Sequence, residues 1–303
     1  MSYSADVKRE LAEQLPDKIC CRAAQAYGML EFGHAFSGRE ISLQTEQEAV
    51  ADLYDKLVSR ICGVEKPERT VTKRRSALQV CTVGSAEDRT KILARFGHEP
   101  REVSVRLNLA NVDCDDCARA LLRGAFLSCG TVTDPERDYH LEFCVPYRNL
   151  SRDLLALLDE VNIPARAVNR NGAYVVYIKE SERIEDTLTY LGAPHAALEM
   201  MNVKMVKSIR NETNRRMNCD NANIDKTVAA AQEQVAAVMR IKEYGGLEQL
   251  PENLRQLAHL RLDNPDMSLR ELGEAMEPPL SRSGVNHRLQ RIMELAADLP
   301  KKV

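Results

Sequence analysis

Two groups of residues have the types and spacing to do chemistry. The first is a set of four thiols, Cys20-Cys21 and Cys114-x-x-Cys117. Four thiolates within tetrahedral reach would make a structural zinc site. Against that, adjacent cysteines at a helix start are expected to point in different directions, and no second Cys-x-x-Cys exists. Cysteine is also an ordinary small buried residue. Buried thiols are therefore the leading reading, with no metal and no cofactor expected; zinc and a redox switch are the alternatives. The second group is the stretch Ser281-Arg-Ser-Gly-Val-Asn-His-Arg-Leu-Gln-Arg-Ile292, rich in arginine and free of acids. Elsewhere His34, His98, His140, His195 and His259 are scattered, without the Ser/His/Asp or Cys/His spacing of a nucleophilic enzyme.

The elements that must position the basic stretch can be read from its periodicity. Val285, Leu289 and Ile292 recur at the three-to-four residue step of one helix face. Ser281 offers a hydroxyl cap. Upstream, Ser268 with Glu271 three residues later is a capping box that opens a second short helix, stopped by Pro278-Pro279. Two short helices with a tight break describe a helix-turn-helix, whose second helix enters the DNA major groove. Packing Val285, Leu289 and Ile292 on Leu269 and Leu272 turns Arg282, Ser283, Asn286, His287 and Arg291 outward. Arginine suits paired hydrogen bonds to guanine, and asparagine suits adenine. Ser281, Arg288 and the helix's first amides are assigned to phosphates. Glu271, Glu274 and Glu277 stand on the preceding helix and reduce the local positive charge.

A net charge of −3 over 303 residues excludes a protein coated in basic charge, so nucleic-acid contacts need cations gathered locally. The 44% apolar and 29% charged composition is that of a soluble globular protein, without a membrane-length apolar run. The charged, helical start is unlike a signal peptide, which implies a cytoplasmic protein with reduced thiols.

The first two hundred residues read as an internal repeat. Aligning the helix pattern at 22–36 with that at 118–132 sets Gly28 on Gly124 and Cys21 on Cys117, an offset of 96 residues. After the first helix the pattern predicts a strand at 39–44, a helix near 46–61, strands near 69–74 and 76–83, and a helix at 86–97. After the second it predicts a strand at 139–146, a helix at 150–161, strands at 165–170 and 173–179, and a helix at 182–192. Asn171-Gly172 is a strong type I′ hairpin signal. Such a duplication implies a pseudo-two-fold domain around a central helix pair. Segment 202–218 carries Lys204, Lys207, Arg210, Arg215 and Arg216 against Glu212, a local +4. The run Asn218-Cys-Asp-Asn-Ala-Asn223 is expected to break the helix there. The remainder reads as helices at 224–243, from Pro251 to Leu262, from Ser268, and from Ser281, with Gly245-Gly246 as a helix stop. The expected domains are 1–200 (repeats at about 20–97 and 115–192), a basic helix and Asn-rich linker at 201–222, and an all-α domain at 223–303.

Nearly the whole chain resembles the WhiA family of bacterial DNA-binding regulators. The resemblance rests on Cys20-Cys21, Leu122-Arg-Gly-Ala-Phe-Leu-Ser-Cys-Gly130 with Thr131-Val-Thr-Asp-Pro135, Asn211-Glu-Thr-Asn-Arg215, Asn218-Cys-Asp-Asn-Ala-Asn223, Leu250-Pro-Glu-Asn-Leu-Arg255 and Ser283-Gly-Val-Asn-His-Arg-Leu289. It implies an α+β domain of the LAGLIDADG homing-endonuclease type, with two central helices over a saddle-shaped antiparallel sheet, and then a helix-turn-helix domain. It also implies a role in transcription, cell division and chromosome segregation, with sporulation in filamentous relatives.

LAGLIDADG nucleases carry an acid at the eighth motif position of each central helix, where the pair holds metal against the scissile phosphates. Aligned on the central glycine, those positions are Gly33 and Cys129, and neither replaces a carboxylate for a hard cation. Glu31 lies on another side of the helix; Asp134 and Glu136 fall in a turn beyond the second. The resemblance thus implies a non-enzymatic regulator that binds double-stranded DNA on the nucleoid. Further phosphate contacts are expected from Lys73, Arg74, Arg75, Arg166 and Arg170 on the hairpins, and from Lys204, Lys207, Arg210, Arg215 and Arg216. The rivals are a division-linked adaptor whose N-terminal domain binds a protein partner, and a metal-dependent endonuclease.

Overall fold

The computed structural model describes residues 2–73, 77–102 and 104–300. Two compact units divide between Lys207 and Ser208. In the first, α1 (Tyr3–Glu13) precedes a repeat of α2 (Ile19–Glu31), β1 (Ala35–Phe36), β2 (Ile41–Thr45), α3 (Glu48–Cys62), β3 (Glu68–Lys73), β4 (Ala77–Thr82) and α4 (Ala86–Arg95). The second repeat follows as α5 (Asp115–Cys129), β5 (Gly130–Val132), β6 (Leu141–Val145), α6 (Arg148–Glu160), β7 (Arg166–Arg170), β8 (Ala173–Ile178) and α7 (Ser181–Leu191). Each repeat builds a four-stranded antiparallel sheet, in the order β1-β2-β4-β3 and β5-β6-β8-β7. Every element expected from the repeat is present. The short strands β1 and β5, which directly follow the two motif helices, had no separate signal because two or three residues cannot display an alternation.

Both motif helices are buried almost all round, as central helices must be. They meet at the glycines that set the repeat alignment. A Cβ on Gly28 would stand 2.2 Å from the Leu121 carbonyl oxygen, and one on Gly124 2.3 Å from that of Gln25. Any side chain there would push the backbones apart. The hairpin between β7 and β8 closes through Asn171 (φ 53°) and Gly172 (φ 85°), the two positive values that a type I′ turn needs. The Arg74-Arg75 turn of the first hairpin lies outside the described residues. α1 seals the domain, with Val7 and Leu11 fully buried and the Tyr3 hydroxyl donating to the Ala196 carbonyl at 2.6 Å.

α8 (Pro194–Gly245) is one helix of 52 residues. It corrects two expectations: the Asn-rich run does not break it, and the first unit extends past residue 200. Asparagine and aspartate lower helix propensity by only about 0.7 kcal/mol each. Between His195 and Tyr244 there is no glycine or proline, so the i→i−4 ladder has no forced gap. Its first turn is capped from α1, since the Glu10 carboxylate accepts from the amides of His195 and Ala196 at 2.9 and 3.0 Å.

The second unit adds α9 (Glu252–Asp263), α10 (Leu269–Glu274) and α11 (Arg282–Ala297). Pro251 is the residue before α9 rather than its first helical position. A separate core joins Val238, Ile241, Leu254, Leu257, Leu272, Val285, Leu289 and Ile292.

Candidate functional site

The α10–α11 pair is fixed locally. Ser268 and Glu271 form the full capping box. The Gly273 carbonyl then accepts from the Leu280 amide at 2.8 Å. A Cβ at Gly273 would meet the Leu280 carbonyl oxygen at 2.2 Å, so this turn tolerates only glycine. Ser281 caps α11 by accepting from the Gly284 amide. Val285, Leu289 and Ile292 are fully buried, as their spacing predicted.

The opposite face of α11 carries Arg282, Ser283, Asn286, His287, Gln290 and Arg291, all exposed. Gln290 was missed by sequence reading, although it stands one turn beyond Asn286 on the same face. Four sequence-assigned residues have protein partners: the Ser281 and Ser283 hydroxyls lie 3.0 Å apart, and Arg288 and Arg291 are also engaged. The Arg288 guanidinium donates to the Asn253 carbonyl at 3.1 Å, which braces α11 on the first turn of α9. Arg291 pairs with Glu294 at 2.7 Å, an exposed contact that solvent and salt weaken. The acids behind the helix are partly occupied: Glu271 in its cap, Glu274 with Arg270 at 2.9 Å.

The other basic residues divide in two. Lys204 lies 3.1 Å from Glu182 and 3.6 Å from Glu185, and Lys207 donates to the Pro135 carbonyl at 2.7 Å while lying over the Tyr139 ring. Both have partners within the first unit. Arg166, Arg210, Arg215 and Arg216 are exposed; Arg170 is exposed with Glu142 at 3.7 Å. Arg74, Arg75 and the Lys73 side chain lie outside the described residues.

At the ends of the motif helices, the two positions where a nuclease carries its carboxylates hold Gly33 and Cys129. A Cβ on Gly33 would fall 2.9 Å from the Ser42 carbonyl oxygen and 3.0 Å from that of Leu30. Burial pushes the Cys129 thiol up to about 12. Glu31 is turned into the interior, 2% exposed, with its carboxylate 3.5 Å from His98. His98 in turn bonds the Tyr27 hydroxyl at 2.8 Å and Glu102 at 2.7 Å. Burial holds the Glu31 carboxyl well above the usual carboxylate range. Asp134 is used in its turn, accepting from the Glu136 amide.

The four thiols do converge, and the expectation that Cys20 and Cys21 diverge is wrong. Both sit in the first turn of α2, while Cys114 caps α5 and Cys117 lies in its first turn. All four sulfurs lie within 4.8 Å of one another, the one group among the described residues with the types and closeness of metal ligands. Cys21 and Cys117 are buried; Cys20 and Cys114 are half-buried. Hydrogen bonding by Cys117 is the foremost cause that lowers the Cys114 thiol to about 7, whereas burial raises Cys21 and Cys117.

Comparison with known proteins agrees with this architecture. The model of the WhiA LAGLIDADG-like domain matches residues 118–210, and that of the WhiA C-terminal HTH domain matches residues 213–296. A probable cell division protein WhiA of Clostridium botulinum is 33% identical over 315 residues, covering 100% of both chains. One from Alkaliphilus oremlandii is 38% identical over 314 residues, covering 99% of this chain and 98% of its own. The crystal structure of full-length DUF199/WhiA from Thermatoga maritima aligns over 100% of both chains with a TM-score of 0.58 and 25% identity.

Proposed function

This chain belongs to the WhiA family, and from that premise we propose that it is a sequence-specific DNA-binding regulator of transcription serving cell division and chromosome segregation. The observation that carries the proposal is the exposed face of α11. It presents two arginines, an asparagine, a glutamine and a histidine on a helix whose other face is locked into the domain core. In this reading α11 enters the major groove, Arg282 and Asn286 read base edges, and Arg291 exchanges Glu294 for guanine or phosphate. Ser283 and the first amides of α11 hold the backbone, while Ser281 and Arg288 fix the helix from within the protein. Arg210, Arg215 and Arg216 add phosphate contacts, as do Arg166 and Arg170 if the first unit also lies against the duplex.

The first unit is then a scaffold of nuclease descent without a nuclease centre, because Gly33 and Cys129 occupy the two positions that need carboxylates. No helix among the described residues is long and apolar enough to cross a membrane, which fits action on the nucleoid.

Selection of bound sites from random duplexes, followed by fluorescence anisotropy on the winner, tests the reading. Arg282→Ala with Arg291→Ala should weaken specific binding by roughly tenfold or more, since one base-reading pair contributes about 1–3 kcal/mol. Unchanged anisotropy would remove α11 from the recognition role. Discrete chromosomal peaks in immunoprecipitation that vanish in the double variant support a regulator. Their absence would favour a protein-binding adaptor.

A further inference from the structure

We propose that Cys20, Cys21, Cys114 and Cys117 form a structural tetrathiolate zinc site that clamps together the N-terminal ends of α2 and α5. The geometry carries it. A zinc ion at the centre of four sulfurs with bonds of about 2.3 Å requires sulfur–sulfur edges of about 3.8 Å. Five of the six edges measure 3.6 Å for Cys21–Cys114, 3.7 Å for Cys20–Cys114, 3.5 Å for Cys114–Cys117, 3.8 Å for Cys21–Cys117 and 4.0 Å for Cys20–Cys21, and the sixth, Cys20–Cys117, is within 4.8 Å. Five edges are thus within about 0.3 Å of those of a tetrahedron around one ion.

The other arrangements of four cysteines fit less well. A disulfide holds its sulfurs about 2.05 Å apart, and no pair approaches that. An iron–sulfur cubane spreads its thiolates over four separate irons, which demands a wider cage. Simple burial leaves unexplained why four thiols from two distant segments meet at one point, with two of them half-buried and open to solvent. A cleft of about 300 Å³ lined by Pro16, Lys18, Cys21, Asp116 and Arg119 supplies an entry path.

The surroundings suit a tetrathiolate's double negative charge. All four cysteines stand at the starts of α2 and α5, where unsatisfied amides favour anions. Lys18 adds a cation beside the cluster, though Asp116 pairs with it at 3.0 Å and Asp113 and Asp115 flank Cys114, so the helix starts carry most of the compensation. Mechanically the site is well placed. Cys21 and Cys117 each lie two turns before the glycine of close approach, so an ion there would staple the two repeats beyond the point where Gly28 and Gly124 already bring the helices into contact.

The full chain, purified under reductant without chelator, should carry one zinc per molecule by elemental analysis. Cobalt(II) in its place should give the visible bands of a tetrahedral ion and strong thiolate-to-cobalt charge transfer. Cys114→Ser should lose the zinc and melt at lower temperature, while Cys219→Ser, altered on the exposed surface of α8, should keep both. If Cys114→Ser does not fold, the cobalt spectrum of the unaltered chain still reads the ligand set. Less than roughly a tenth of an equivalent of zinc after incubation with the metal would overturn the site. So would iron in place of zinc, a cobalt spectrum without thiolate charge transfer, or full zinc retention in a folded Cys114→Ser chain.

Discussion

Glu31 shows how burial, helped by nearby acids, can decide what an acid does. It is two residues from the position where a nuclease would hold metal, yet it is enclosed among Tyr27, His98 and Glu102, with Asp153 near enough to add repulsion. A carboxyl whose folded-state pKa is raised binds its proton more tightly in the native state than in the unfolded one. Stability then falls as pH rises above the unfolded value near 4.5, because the native state must either keep the proton or bury a charge. Glu31→Gln removes that penalty. Its melting temperature should exceed the parent's at pH 8, with the gap closing as pH falls toward 4; a gap that is constant across that range would show that Glu31 does not titrate in this window. Gly33→Asp addresses the other half of the question. Its side chain would meet the Ser42 and Leu30 carbonyls, so the change should cost about 1–3 kcal/mol by chemical denaturation and give no magnesium-dependent cutting of plasmid, alone or with Cys129→Asp. Little of this was legible beforehand. Spacing could say that Glu31 faces away from Gly33, but not that a histidine from beyond α4 would be waiting there.

The elements were legible where local chemistry fixes them. Asn171-Gly172 declared its turn, Ser268 and Glu271 their cap, and Gly28 and Gly124 the contact between α2 and α5. That contact yields a stability prediction. Gly124→Ala places a methyl group against the Gln25 carbonyl and the Met29 amide, so the helices must separate. The cost should be about 3 kcal/mol, seen as a lower denaturation midpoint with an unchanged slope, and a midpoint within error of the parent's would refute the close packing. The Asn-rich run reads as a breaker by composition, yet α8 continues through it because none of its residues forces a gap in the ladder. Asparagine discourages a helix but keeps its N–H, whereas proline removes it. Asn221→Pro should therefore interrupt α8 and reduce helical circular dichroism, although no core residue is touched. Convergence of the four cysteines lay between these cases: the repeat placed Cys21 beside Cys117, but only the fold shows that Cys20 turns toward them as well.

At the scale of the whole molecule, each unit has its own core, so each should fold when separated from the other. Residues 208–303 alone should melt cooperatively and retain the sequence preference of the full chain, since α11 and all its supports lie within them. Affinity is a separate matter from preference. If α11 binds DNA as proposed, a net charge of −3 and the acids close to it leave little bulk attraction, and affinity should depend on cations that meet phosphates individually. Arg210, Arg215 and Arg216 are exposed and have no acid beside them in an ion pair among the described residues, unlike Lys204, which is held by Glu182 and Glu185. Each phosphate neutralised steepens the dependence of log K on log salt by about 0.9. Changing all three arginines to alanine should therefore flatten that slope by up to about 3 while leaving the order of preferred sites intact. Lys204→Ala should leave the slope where it was and lower only stability, by about 1–3 kcal/mol, because it leaves the buried Glu185 carboxylate without its cation. If the triple change altered the order of sites instead, α8 would be reading bases; if it altered neither, the basic stretch of α8 would have no part in holding DNA.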